Sequence, residues 1–249
     1  NKRIEDRNSE LISEPIPFLN GGLFDPHNND FYKIHHINTL KIDNSIFEVF
    51  YKHLEKYNFT IDENSTDDIE ISLDPELLGL VFENLLASLN PETSETARKN
   101  TGSYYTPREI VDYMVSNSII EYLKSKVDIE EDRLKNLVFE NQNNFESIEK
   151  SQILTAIYQL KILDPVCGSG AYPMGILNKI VKLLDVIDID GDLWFNLQSK
   201  PFRAKHQNRD KNYIRKLSII QNSIFGIDIQ PIAIEISKLR FFLSLIVDE

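Results

Sequence analysis

The 249-residue sequence predicts an α/β protein in two parts: a mainly helical region over residues 1–160 and the start of a doubly wound α/β domain over residues 161–249. Three observations lead to that division. Apolar residues recur at helical spacing through several segments of the first part. Past Lys161, two short apolar runs, Ile162-Leu163 and Ile224-Phe225, each end in a turn and pass into a new helical stripe. The first turn contains the tight Gly168-Ser169-Gly170, and the second reaches an acid, Asp228.

From Asn1 to about Asn44 the pattern is aperiodic, an extended arm in which Pro15 and Pro17 precede the turn signal Asn20-Gly21-Gly22. Ile46, Val49, Phe50, His53, Leu54 and Tyr57 then share one helical face, and a polar loop follows over residues 62–70. Asp74 can cap the next helix, Pro75 suits its first turn, and Leu77, Leu78, Val81, Phe82, Leu85 and Leu86 form its apolar stripe. Beyond Gly102, Tyr104-Tyr105-Thr106-Pro107 leads into a further helix whose buried stripe is Ile110, Val111, Met114, Val115, Ile119 and Tyr122. Its start predicts a capping box, with Thr106 bonding the amide of Glu109, Glu109 reaching back, and Pro107 in the first helical position. Residues 148–160 read as another helix.

In the second part, Ile162-Leu163 to Asp164 reads as a strand and Pro165 to Gly170 as a turn. Met174, Ile176, Leu177, Ile180, Val181 and Leu184 mark the helix after it. The second unit runs from Ile224 to Asp228 and into a helix from Pro231 carrying Ile232, Ile236, Leu239, Phe242 and Leu243.

Composition restricts the function. A net charge of -12 argues against the whole surface tracking a phosphate backbone, so any nucleic-acid contact is local. The local candidate is residues 200–216, where Lys200, Arg203, Lys205, Arg209, Lys211, Arg215 and Lys216 face only Asp210; a solvated helix face and a phosphate track both fit. The single cysteine, Cys167, excludes a disulfide framework and a multi-cysteine zinc site. No apolar run approaches the roughly 20 residues of a bilayer span, and the expected location is the cytoplasm. No metal-nuclease cluster stands out either. The first residue is Asn1, not methionine, which reads as an excised piece of a longer protein.

Two strand-to-helix units of this kind are the parts of a nucleoside-binding crevice. Glycines at 168 and 170 allow a sharp turn and close ligand approach, and the following helix presents unpaired amides at its positive end. An acid at the tip of the second strand can accept ribose hydroxyls. Asp228 lies far beyond the roughly 20-residue spacing of compact dinucleotide folds, which Asp188 and Asp190 meet more closely, in a run from Val186-Ile187 to Gly191 that can also end a strand. Gly226-Ile227-Asp228 nevertheless has the form of a strand tip, whereas Asp190-Gly191 reads as a plain turn.

The full string Asp164-Pro165-Val166-Cys167-Gly168-Ser169-Gly170 resembles motif I of amino DNA methyltransferases, Asp-Pro-x-Cys-Gly-Ser-Gly. Thr101 to Pro107 looks like the Gly-x-x-Tyr-Thr-Pro element that precedes motif I in N6-adenine enzymes, and Phe225 to Pro231 looks like motif II. Asp74 to Leu85 and Leu19 to Phe24 are similar to segments of the Eco57I-like, type IIG restriction-modification enzymes. The resemblance implies a Rossmann-like domain that binds S-adenosylmethionine and methylates adenine N6 in double-stranded DNA, with a fused nuclease a further possibility. Asp164 and the adjoining Pro165 would then lie near the methionine amino group, and the backbone of Cys167, Ser169 and the two glycines would line the methionine moiety. Asp228 would hold the ribose, while Thr106, with Tyr104 and Tyr105, would close over the methionine end.

The enzymes of this family hold a flipped adenine amine with an Asn-Pro-Pro-Tyr-type motif. No such tetrapeptide occurs here, so the sequence itself offers no catalytic residue for the transfer. Cys167 reads as a packing residue, since methyl transfer to an exocyclic amine needs no covalent enzyme intermediate. Two alternatives remain at the level of sequence: another nucleotide-binding enzyme of Rossmann type, such as a nicotinamide-dependent dehydrogenase, and a non-enzymatic helical assembly module.

Overall fold

The structure, a computed structural model, describes residues 43–54 and 106–246. The N-terminal arm, the 62–70 loop, the helix expected from Asp74, and Tyr104 and Tyr105 lie outside the described residues. The chain divides into two compact units, Asn1–Asp74 and Pro75–Glu249. In the first, helix α1 (Asn44–Leu54) covers most of the expected helical face. It opens with the Ser45 amide donating to Asp43 Oδ1 at 2.8 Å and carries a Glu48–Lys52 ion pair one turn apart.

The second unit begins with α2 (Arg108–Lys124), α3 (Glu131–Glu140) and α4 (Ser147–Gln159). Strand β1 (Ile162–Asp164) leads to the long α5 (Ala171–Ile187). Three shorter helices follow, α6 (Asp192–Leu197), α7 (Lys200–His206) and α8 (Lys211–Asn222), before β2 (Ile224–Gly226) and α9 (Pro231–Ile246). β1 and β2 pair in parallel, with Ile162 opposite Ile224, Leu163 opposite Phe225 and Asp164 opposite Gly226. Parallel pairing requires a crossover, and helices α5 to α8 supply it. The described residues are thus mostly helical around a two-stranded parallel sheet, consistent with part of an α/β fold.

α5 organises the unit because its apolar residues, Ile176, Leu177, Ile180, Val181 and Leu184, recur at helical spacing and are all buried. α2 packs closely against it at Gly175, where a Cβ would fall 2.5 Å from Val111 Cγ1. A Lys179–Asp112 ion pair at 2.8 Å spans the same two helices. Tyr122 of α2 donates its hydroxyl to the Ala156 carbonyl of α4 at 2.8 Å. Leu123, Leu134, Leu137, Ile153, Ile157, Leu177 and Leu184 belong to one buried core, which therefore continues across residue 160. Trp194 of α6 is buried beneath α8, with its indole N–H on Ser218 Oγ at 2.9 Å and an edge contact to Tyr158. No helix among the described residues is long and apolar enough to cross a membrane.

One expected local feature is different. The N-cap of α2 is Pro107, not Thr106, and no side chain caps the helix. The Pro107 carbonyl accepts from the amides of Ile110 and Val111, at 3.0 and 3.1 Å, so the helix begins one residue later than the capping box requires. Thr106 then sits outside the first turn, where its hydroxyl no longer meets the Glu109 amide.

Candidate functional site: the glycine loop between two parallel strands

The chain leaves β1 at Asp164 and turns immediately. The Val166 amide donates to Asp164 Oδ1 at 3.1 Å, and Pro165, exposed, occupies the bend. The ladder to the second strand continues past β2, with Ile227 N–H donating to the Asp164 carbonyl at 2.9 Å and Cys167 N–H to the Ile227 carbonyl at 3.0 Å. Gly170 N–H then closes the turn on the Cys167 carbonyl at 2.8 Å, and the Gly170 carbonyl receives Met174 N–H at the start of α5.

Both loop glycines have left-handed backbones, φ 53° at Gly168 and 92° at Gly170, but for different reasons. At Gly170 a Cβ would lie 2.4 Å from Ser237 Oγ, so α9 closes that side completely. At Gly168 a Cβ would meet nothing within 4 Å among the described residues. The open side of the loop is therefore at Gly168. Gly226 serves the strand pair: a Cβ there would lie 2.9 Å from Cys167 Sγ.

Two carboxylates flank the opening. Asp164 Oδ2 is buried and has no hydrogen-bond partner among the described residues. Asp228 ties the second strand tip to the loop after the first, Oδ2 accepting from Gly168 N–H at 2.9 Å and Oδ1 from Gln230 N–H at 2.8 Å. Cys167 is buried between them, and burial first, then the charges of Asp164 and Asp228, pushes its thiol up to about 11. It stays protonated near neutrality and is no nucleophile. Ser169 is buried, and its carbonyl accepts from Arg240 Nη1 at 3.1 Å.

Asp164, Cys167, Gly168, Ser169, Gly170 and Asp228 are thus brought together, whereas the rival acids are not. Val186 and Ile187 end helix α5, not a strand. Asp188 is its C-cap, and accepts from Trp194 N–H at 2.7 Å and Leu193 N–H at 3.3 Å, which starts α6. Asp190 is exposed on the turn before Gly191. Thr106 is half-buried before α2.

The cationic segment is partly consumed by the fold. Arg215 is buried on Asp185 and the Asp188 carbonyl, Lys211 donates to the Ile189 carbonyl, and Lys216 to the Ser244 carbonyl. Arg203 reaches Asn196, and Arg209 lies over the Tyr213 ring. Lys200 and Lys205 are exposed. Among the described residues no three His, Cys, Asp or Glu side chains group as a metal-ligand set.

Arg240 and Ser237 escape the sequence reading, which took the apolar side of α9 as its important face. Ala233, Ser237, Arg240 and Ser244 are in fact buried. Their 4-3-4 spacing sets a small and polar stripe along the helix, a visible signal of a face turned toward another backbone.

The chain is 31% identical, over 262 aligned residues, to a protein of Methanocaldococcus jannaschii named "Putative type II restriction enzyme and methyltransferase". That alignment covers 97% of this chain and 20% of the relative, so the chain spans about a fifth of the relative's length. No family model matches the chain, and no solved structure matches it.

Proposed function

We propose that the chain supplies the S-adenosylmethionine-binding part of a restriction-modification DNA methyltransferase that acts on adenine N6. The observation that carries this reading is the glycine loop, open at Gly168 and set between Asp164 and Asp228 at the tips of two parallel strands. The named relative supports the same class of enzyme.

The residues present fit this cofactor. Its ammonium needs an acceptor, and Asp164 Oδ2 is a buried acceptor without a partner among the described residues. Its methionine backbone needs close approach to a main chain, which the missing side chain at Gly168 permits. Its ribose needs a diol acceptor, and Asp228 retains capacity because each carboxylate oxygen can accept more than one bond. Ser169, Gly170, Cys167 and Pro165 shape the loop, and the likeness of residues 101–107 to the Gly-x-x-Tyr-Thr-Pro element assigns Thr106, with Tyr104 and Tyr105, to the methionine end. When bound, the sulfonium centre supplies an electrophilic methyl group. The chain's own part is to bind and orient: the two carboxylates complement a cationic ligand and the loop backbone fixes its long axis.

The adenine would be flipped from duplex DNA, because its amine is otherwise stacked and paired. With no Asn-Pro-Pro-Tyr-type motif among these 249 residues, the group that holds the amine belongs to the longer protein. We assign that protein to the type IIG, Eco57I-like group, with a Rossmann-like methyltransferase domain from residue 161, a helical region before it, an endonuclease elsewhere and a cytoplasmic location. Calorimetric titration with S-adenosylmethionine and with NAD tests the cofactor. Mass spectrometry of duplex DNA treated with the longer protein tests for N6-methyladenine. Binding of NAD alone, or methylation of cytosine alone, would overturn the assignment.

A further inference from the structure

Arg240 is buried on α9 together with Ala233, Ser237 and Ser244, and a buried guanidinium is costly unless it is bonded. Its Nη1 donates to the Ser169 carbonyl, 71 residues earlier and in the middle of the glycine loop. We propose that Arg240 is a positioning residue for the glycine loop, holding the Ser169–Gly170 peptide in one orientation and so fixing the face that Gly168 presents to ligand; in naming that ligand the inference rests on the cofactor reading above.

The geometry follows from peptide planarity. The Ser169 carbonyl and the Gly170 N–H belong to one rigid unit and point in opposite directions. Arg240 holds the carbonyl end and the Cys167 carbonyl holds the N–H end. Two peptides earlier, Asp228 holds the Gly168 N–H. With the units on either side pinned, the peptide between Gly168 and Ser169 has its orientation set by its neighbours. Without Arg240, Gly170, whose φ can take either sign, would let the 169–170 unit turn over. The second strand-helix unit therefore grips the first at three successive residues, through the Ile227 carbonyl on Cys167, Asp228 on Gly168 and Arg240 on Ser169. Ser237, one turn before Arg240, closes the same side of the loop against Gly170.

The test compares Arg240→Met, which keeps the bulk and removes the donors, with Arg240→Lys, which keeps one cationic donor. Amide hydrogen exchange of the unliganded chain is read at residues 168–170 and, as an internal control, at Leu177 and Ile180 in the core of α5. Arg240→Met is expected to speed loop exchange and weaken S-adenosylmethionine about tenfold, the factor for one charge-assisted bond, with Arg240→Lys recovering part of both. The control amides should change far less. Unchanged loop exchange in Arg240→Met, or an increase equal to that of the controls, overturns the proposal. If the methionine variant does not fold, the same comparison in Arg240→Lys decides, because a purely space-filling role predicts wild-type loop exchange there. If the wild type binds no S-adenosylmethionine while loop exchange still rises locally, the positioning role stands and the cofactor reading falls.

Discussion

Asp228 accepts the Gly168 amide at 2.9 Å across 60 residues of chain, so the acid at the second strand tip holds the loop at the first. The carboxylate proposed to receive a ligand diol is also a strut of the loop.

Asp228→Ala should therefore weaken S-adenosylmethionine by more than tenfold, since a ligand bond and a loop bond are lost together, each to a charged acceptor. Asp188→Ala should leave affinity nearly intact in the folded fraction. Its cost is stability, about 0.5 to 2 kcal/mol for a lost cap on α6. Calorimetry and thermal melting on both variants separate the roles; a silent Asp228→Ala would exclude that acid from the site.

The two glycines should part company when mutated to alanine. Gly170→Ala meets both a left-handed backbone and Ser237, and should be the more destabilising by about 1 to 3 kcal/mol. Gly168→Ala bears only the backbone cost of about 1 to 2 kcal/mol and should lose ligand affinity out of proportion to it. Equal effects on melting would mean that the open side has been misplaced.

Thr106→Ala should barely move the melting temperature, because Pro107 is the cap and its carbonyl carries the first helical bonds. Any loss should appear in cofactor affinity. A melting shift of the size expected for a lost N-cap, about 1 kcal/mol, would restore the threonine as a structural cap.

The Arg133–Glu149 pair links α3 to α4 with two parallel bonds of 2.5 and 2.8 Å, and Glu149 also accepts the Glu146 amide. Arg133 first, then that amide, lowers the Glu149 carboxyl to about 2 from an ordinary 4.5. The folded state thus binds the proton less readily than the unfolded chain. Its contribution is complete above pH 4.5 and is lost as the pH falls from there to about 2. Denaturation midpoints across that range should fall less steeply in Glu149→Gln than in wild type; identical slopes would remove the pair from the acid response.

The chain by itself should transfer no methyl group to DNA even when it binds S-adenosylmethionine. Orientation of amine and methyl contributes roughly 7 to 11 kcal/mol of a typical barrier, and no residue here is assigned to hold the amine. Radiolabelled transfer to adenine-containing duplexes by the chain alone would contradict that division of labour.

Where local chemistry dictates structure, the sequence was readable. Asp164 to Gly170 announces a strand, a turn with positive φ and a helix because few residue types tolerate that path, and β1, α5, β2 and α9 lie where those signals put them. The crossover was harder. α6 and α7 are shorter than a hydrophobic period can define, and Val186-Ile187 imitates a strand because the end of a buried helix is apolar on successive residues. Asp188 became a plausible ribose acid for the same reason. The Thr106 cap failed by one residue, a displacement that propensity alone cannot detect. Arg240 was hidden because its partner is a main-chain carbonyl distant in sequence, for which side-chain pattern carries no signal.

That long-range grip also orders events in time. Loop closures of 60 and 71 residues must precede the bonds from Asp228 and Arg240, and closures of similar length bring α2 onto α5 at Val111–Gly175 and Asp112–Lys179. During synthesis from the N-terminus, the glycine loop leaves the ribosome well before the arginine that holds it, and it stays without that brace until residue 240 has been made.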